Sequence, residues 1–282
     1  MTSMISTQPT LVIGAGGTTG RRVAERLAAA GRPVRAASRS SATRFDWNDP
    51  ATWAPALSGA GAAYITYHPD LAFPGAAETV GAFADLAVAR GVRRLVLLSG
   101  RGEQGARDAE LLLQRSGADW TIVRCAFFDQ NFDEAFAEAV RQGVVAVPGG
   151  DVREPFLDAD DIADVVVEAL ADDRHVGELY ELTGPRLMTF GEAAAELADA
   201  AGHEVRYVPV TPPQFAAGLA DAGFPPDVAV AVSELFEEVL DGRNAVLTDD
   251  VRRALGREPR DFADYARATA ATGVWRAGAV AA

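Results

Sequence analysis

The sequence predicts an α/β fold: a doubly wound parallel sheet with a small, mostly helical C-terminal lobe. Three observations carry this prediction. Leu11-Val12-Ile13 is an apolar run that ends in the turn Gly14-Ala15-Gly16-Gly17-Thr18-Thr19-Gly20, and Val23 and Leu27 then recur four apart, as on one helix face. Strand-like and helix-like segments alternate through the first half of the chain. The run Arg94-Leu95-Val96-Leu97-Leu98-Ser99 is almost continuously apolar, as a strand buried on both faces is.

The elements follow in order. The first helix ends at Gly31, and residues 33–40 read as a second strand. Ala62 to Tyr67 is a strand, followed by a loop with His68, Pro69, Asp70 and Pro74. Glu78 to Arg90 is a helix because Val80, Phe83, Ala84 and Ala87 share a face; Gly91 closes it. After the strand ending at Ser99 come a helix over 108–116, closed by Gly117, and the strand Trp120 to Arg124. The second half is less regular. Val144 to Val147 is a short strand before Pro148-Gly149-Gly150, and Asp158 to Ala171 is a helix whose leading acids suit the helix dipole. Thr189 with Glu192 forms a capping box for a helix whose inner face is Phe190, Ala194, Leu197 and Ala201. A strand over 205–210 and helices near 212–222, 227–240, 248–255 and 261–270 complete the chain. This divides it into a Rossmann domain over 1–150 and a mixed segment over 151–282 that completes the sheet and forms a substrate-side lobe.

The first turn reads as G-x-x-G-x-x-G through Gly14, Gly17 and Gly20. Glycines allow positive φ and a close approach of backbone to a pyrophosphate, and the N–H groups opening the next helix favour its charge. An ordinary tight strand-to-helix turn is the plainer reading of the same residues. About 20 residues on, an acid on the ribose 2′-hydroxyl would select NAD. That place holds Ser38, Arg39, Ser40 and Ser41 instead. A guanidinium with hydroxyls suits a 2′-phosphate, so NADP(H) is expected over NAD(H).

Composition narrows the classes. A chain of 282 residues that is 49% hydrophobic buries a substantial core. Its net charge of −14 argues against a nucleic-acid surface. No apolar run approaches the ~20 residues of a membrane span. The single cysteine, Cys125, excludes an intrachain disulfide; with no secretory signal read, a cytoplasmic protein is expected, monomer or homodimer. Three scattered histidines and one cysteine give no metal-ligand spacing.

Hydride-transferring enzymes of this fold often use a Tyr and Lys pair at Y-x-x-x-K. This chain contains no lysine, and none of Tyr64, Tyr67, Tyr180, Tyr207 and Tyr265 lies in the helix after Ser99. Carbonyl reduction needs a proton for the developing alkoxide. An iminium ion does not, and a quinone takes its proton from water. The absence therefore favours an activated acceptor. Ser99, at a strand end, is a candidate to face a nicotinamide, although such a serine also satisfies backbone groups. Tyr67 and His68 follow a strand at the same edge and are weak catalytic candidates, with Tyr67 also beside the cofactor. Phe127, Phe128 and Asn131 are candidate substrate contacts, an aromatic wall suited to a flat or cationic acceptor as well as to core packing.

The pattern resembles the NmrA-like branch of the atypical short-chain dehydrogenases/reductases. The matching pieces are Val12 to Val23, Ser38-Arg39, Leu97-Leu98-Ser99-Gly100, Trp120 to Arg124, Phe127 to Phe132 and Asp160-Asp161-Ile162-Ala163. Arg44-Phe45-Asp46-Trp47 with Thr52-Trp53 is similar to the F-D-W…T-W segment of the ergot-alkaloid dehydrogenases, which reduce cyclic iminium intermediates without Y-x-x-x-K. The resemblance implies a pyrophosphate on Gly14, Gly17, Thr18, Thr19 and Gly20, a 2′-phosphate on Ser38 and Arg39, and an adenine near Asp46 and Trp47. The usual turn has a threonine where this chain has Gly16-Gly17, and the usual proline after the strand arginine is Cys125. The expected function is NADPH-dependent reduction of a small activated acceptor, a cyclic imine or quinone-like metabolite. A non-catalytic NADP(H)-binding redox sensor that acts through a protein partner is the alternative, and an isomerase or epimerase a third.

Overall fold

A computed structural model describes residues 8–276. In chain order it has β1 (Thr10–Ile13), α1 (Thr18–Ala29), β2 (Val34–Ser38), β3 (Thr43–Arg44), α2 (Trp53–Leu57), β4 (Ala62–Ile65), α3 (Ala76–Ala89), β5 (Arg94–Gly100), α4 (Gln104–Arg115) and β6 (Asp119–Cys125). Then come α5 (Ala137–Arg141), β7 (Val144–Val147), β8 (Arg153–Glu154), α6 (Ala159–Ala171) and β9 (Glu178–Leu182). The last are β10 (Met188–Thr189), α7 (Phe190–Ala201), β11 (Arg206–Pro209), α8 (Pro212–Asp221), α9 (Pro226–Val239), α10 (Asp250–Leu255) and α11 (Phe262–Thr272).

The sequence reading cuts the chain once, after residue 150; its contacts group it in pieces. The first compact unit takes the chain through Cys125, then Ala159–Leu182 and Asp250–Arg257. The second takes Ala126–Asp158, Thr183–Asp249 and the chain from Glu258 onward. The grouping follows from packing: α6 lies on α1 and on β4 to β6, and β9 pairs with β6.

In the first unit a seven-stranded sheet runs β3-β2-β1-β4-β5-β6-β9, with every pairing parallel. The order reverses at β1, whose neighbours are β2 and β4. Such a reversal opens a crevice at the carboxyl ends of the two central strands, where ligands of doubly wound sheets bind. Side chains alternate across the sheet. Leu11, Ile13, Ala63, Ile65, Leu95 and Leu97 join one core with α2, α3 and α4. Tyr64 points the other way, toward α1.

In the second unit β7 pairs in parallel with β11, and β8 antiparallel with β10. Phe132, Phe156, Phe190, Phe262 and Trp275 fill its core. The Thr189 capping box is present, with the hydroxyl accepting from Glu192 N–H and the Glu192 carboxylate accepting from Thr189 N–H.

Two of the boundaries that differ from the sequence reading have a plain physical cause. The helix expected from Asp108 starts at Gln104, because Ala106, Ala109 and Leu113 carry its buried face back to the first turn. The strand expected through Tyr67 ends at Ile65, where the Thr66 hydroxyl turns to donate to the Ile13 carbonyl at 3.1 Å.

Candidate functional site

The turn after β1 is built by contacts that leave no room for side chains. Gly14 has φ +67°, and a Cβ there would lie 2.4 Å from Thr66 Oγ1. A Cβ on Gly20 would lie 2.1 Å from the Gly14 carbonyl oxygen. Gly17 N–H donates to that same oxygen at 2.8 Å. Gly17 is the N-cap of α1 and brings no side chain to cap it. The N–H groups of the first turn thus face an exposed surface formed by Gly16 and Gly17, with open space at Gly16. Such an exposed helix N-terminus is suited to an anion. The two threonines divide. Thr18 is half-buried, whereas Thr19 is buried and accepts a 2.9 Å hydrogen bond from the Tyr64 hydroxyl. Burial holds that phenol well above its usual range, so it stays a donor. Thr19 therefore ties α1 to β4 through its side chain.

At the carboxyl end of β2, Ser38 and Ser41 close a turn on themselves. The Ser38 hydroxyl accepts from Ser41 N–H at 3.0 Å, and the Ser41 hydroxyl accepts from Ser38 N–H at 2.8 Å. Arg39 projects from this turn, exposed, with no hydrogen bond or ion pair to another described residue. Such a guanidinium is available to an anion.

The Phe45-Asp46-Trp47 and Thr52-Trp53 pieces form a packed cluster. Trp47 lies 4.8 Å from Phe45, 5.3 Å from Phe83 and 5.2 Å from Tyr67, ring centre to ring centre. Its indole N–H donates to the Thr66 carbonyl at 3.0 Å, and that of Trp53 to the Asp46 carbonyl at 2.9 Å. Packing alone accounts for these aromatic residue types. The Asp46 carboxylate accepts from Asn48 N–H at 3.0 Å, closing the turn after β3.

The candidates beyond β4 and β5 fall into two settings. Tyr67 is half-buried and His68 exposed, and neither side chain hydrogen-bonds to another described residue. Ser99 is buried on the face shared by Leu95 and Leu97. It donates to Glu110 Oε1 at 2.6 Å. Arg124 grips both oxygens of Glu110, at 2.7 and 2.5 Å. The Ser99 donor is thus committed to an ion pair beneath α4.

The structure adds residues that the sequence reading passed over. Asp70, half-buried in the loop after β4, accepts from Ala72 N–H at 2.8 Å, and Glu103 is the buried residue that precedes α4. Burial raises the Asp70 carboxyl above its usual range. Cys125 is buried at the end of β6, and burial, aided by Glu103, pushes its thiol well up, so it is inert.

The second unit holds Phe127, Phe128 and Asn131. Phe127 sits among the rings of Phe132, Phe136, Phe156, Phe190 and Phe236. Phe128 and Asn131 are half-buried, and the Asn131 amide has no hydrogen-bond partner among the described residues. No group of three His, Cys, Asp or Glu among the described residues could hold a metal ion. No described helix is long and apolar enough to cross a membrane.

Residues 14–173 match the model of a family described as NAD(P)H-binding. The chain is 32% identical to the uncharacterized oxidoreductase YesF of Bacillus subtilis, over 96% of this chain and 99% of that protein. It is 31% identical to the NAD(P)H azoreductase of Xenophilus azovorans, over 93% and 98%. It is 30% identical to the agroclavine dehydrogenase of Claviceps fusiformis, over 90% and 95%. Among solved structures, the negative transcriptional regulator Nmra in complex with NAD superposes with a TM-score of 0.72 at 18% identity, covering 95% of this chain and 98% of that one. That likeness is one of fold.

Proposed function

The chain belongs to the NAD(P)H-binding family and is an oxidoreductase, and on that premise we propose that it passes hydride from NADPH to a small activated acceptor, a cyclic imine or quinone-like molecule. One observation carries the reading: a chain without lysine, hence without Y-x-x-x-K, leaves Tyr67 and His68 as the unpaired polar side chains that follow β4. Reduction of an acceptor that demands no strong acid fits this. The relative named as an azoreductase is consistent with an acceptor whose reducible bond includes nitrogen.

The residues fit the dinucleotide. Gly14, Gly17, Thr18, Thr19 and Gly20 would hold the pyrophosphate by backbone N–H groups, and Arg39 at the Ser38 turn would hold a 2′-phosphate. Asp46 and Trp47 would border the adenine. Hydride is what a reduced nicotinamide supplies when bound. The chain's own part is to bind and orient. Hydride addition to an iminium carbon yields a neutral amine, so no proton is required. With a quinone, the Tyr67 hydroxyl would donate to the developing oxyanion. Phe128 and Asn131, with Phe127 behind them, are our candidates for contact with the acceptor.

Titration with NADPH and NADH, followed by nicotinamide fluorescence, tests the reading when cyclic imines and quinones are then added. Preferential NADPH binding and acceptor-dependent loss of the signal are expected. Binding without consumption across the panel would favour a redox-sensing regulator instead.

A further inference from the structure

The acids that open α6 have partners on α1. Arg22 and Arg26 stand one helical turn apart on α1, and Asp160 and Asp164 one turn apart on α6, so the two pairs meet in register. Arg26 donates from Nη2 to Asp160 Oδ1 at 2.8 Å and from Nε to Asp164 Oδ1 at 2.7 Å. Arg257, just past α10, closes the far end. Its Nη2 lies 2.6 Å from Asp164 Oδ2 and 2.7 Å from Oδ1 of the buried Asp161. Arg22 is the member nearest the glycine turn. Its Nε donates to Asp160 Oδ1 at 3.1 Å, and its Nη1 donates to the Thr18 carbonyl at 2.7 Å. Helical side chains lean toward the helix N-terminus, which lets this guanidinium reach back a full turn.

Thr18 is the first residue of α1, directly after its N-cap Gly17. The Thr18 carbonyl and the Thr19 N–H belong to one planar peptide unit, so holding the carbonyl fixes the direction of the N–H. That N–H is among the first-turn donors to which a helix offers no internal acceptor. We propose that Arg22 is a positioning residue for the dinucleotide: braced by Asp160, it holds the Thr18–Thr19 peptide so that Thr19 N–H points out of the helix end toward the pyrophosphate. Through Arg22 the Asp160-Asp161-Ile162-Ala163 segment, remote in sequence from the glycine turn, acts on nucleotide affinity. The inference deepens the dinucleotide reading of that turn and rests on it, whatever the acceptor.

The test titrates the full chain and its variants with NADPH, NADH and adenosine 2′-monophosphate, which has no diphosphate. Arg22→Met keeps the stem of the side chain and removes the guanidinium. Asp160→Ala removes the brace and serves alone if Arg22→Met does not fold. Each should weaken NADPH and NADH alike, by about fivefold or more, the scale of coupling between residues in contact. Each should leave adenosine 2′-monophosphate unchanged. The double variant should lose no more than the weaker-binding single variant, because both act through one contact chain. Asp164→Ala loosens the same helix pair but leaves Arg22 on Thr18 and Asp160, so it should lower stability in denaturant and keep nucleotide affinity. Unchanged nucleotide affinity in folded Arg22→Met or Asp160→Ala would overturn the proposal. So would an equal loss in Asp164→Ala or a loss for all three ligands, which would mark a merely structural clamp. Tighter binding in Asp160→Ala would also overturn it, since a guanidinium that meets phosphate directly gains when its carboxylate is removed. A wild-type chain that bound neither dinucleotide would instead overturn the dinucleotide reading, and the role of Arg22 with it.

Discussion

A Cβ on Gly20 would stand 2.1 Å from the carbonyl oxygen of Gly14, so the first turn of α1 rests directly on the loop that feeds it. Gly14 in turn presses on Thr66 at the start of the loop after β4. The two glycines thus bring the helix N-terminus to the point where the sheet order reverses.

Gly20→Ala should therefore displace α1 and abolish NADPH binding, with a stability cost of about 1–3 kcal/mol from overpacking. Gly14→Ala adds the strain of a side chain at φ +67°. Gly16→Thr, which meets open space, should stay within about 0.5 kcal/mol of wild type in stability. Denaturant unfolding and fluorescence titration of the three variants check this order.

Arg39 is exposed and unpaired among the described residues, so its removal should cost little stability. Arg39→Ala should raise the KM for NADPH about tenfold or more, the worth of a charge-assisted hydrogen bond to phosphate, and leave the KM for NADH nearly unchanged. Steady-state kinetics with both nucleotides read this directly; equal changes would remove Arg39 from the site.

Ser99 and Glu110 answer to stability before chemistry. Glu110 is 2% exposed and holds Arg124 with both oxygens. Glu110→Ala should cost about 3–5 kcal/mol, because Arg124 keeps its charge and loses its main partner. Ser99→Ala should cost about 1.5–3 kcal/mol, the worth of a hydrogen bond to a charged group, and leave NADPH affinity of the folded protein unchanged. Unfolding curves with parallel nucleotide titrations separate the two effects.

His175 should make the protein's stability sensitive to acid. It is 1% exposed, its Nε2 accepts from Arg174 Nε at 3.0 Å, and its Nδ1 lies 2.7 Å from the Tyr180 hydroxyl. Burial, and then Arg174, lower its value below the usual one. The unfolded chain then takes up the proton first, so this contribution is intact above about pH 6.5 and is lost as pH falls from there through the lowered folded value. Wild type should lose stability over that interval relative to His175→Gln. Paired unfolding curves at several pH values cancel every other titration, and parallel pH dependences would discount the histidine.

The elements that could be read from the chain are those set by near neighbours. β1, its turn and α1 show in twenty residues, and the Thr189–Glu192 capping box in four. Helix faces show at spacings of three and four, since residues at those spacings are neighbours on the helix. The early start of α4 escaped because Gly105 gains its place only against Leu71 and Ala72. β9 escaped because five half-apolar residues acquire meaning only beside β6.

By itself the sequence determined a parallel α/β fold, a glycine turn able to hold a dinucleotide, a cation where an acid would select NAD, and the absence of the Tyr–Lys pair. These depend on residue type and on short spacing, which a chain carries in any conformation. Only the tertiary structure decided that Ser99 turns under α4 toward Glu110 and that Thr19 is tied to Tyr64. It alone decided that Trp47 packs on Phe83. In each case the partner comes from a distant element, and whether a polar side chain meets solvent or a second side chain depends on which element covers it.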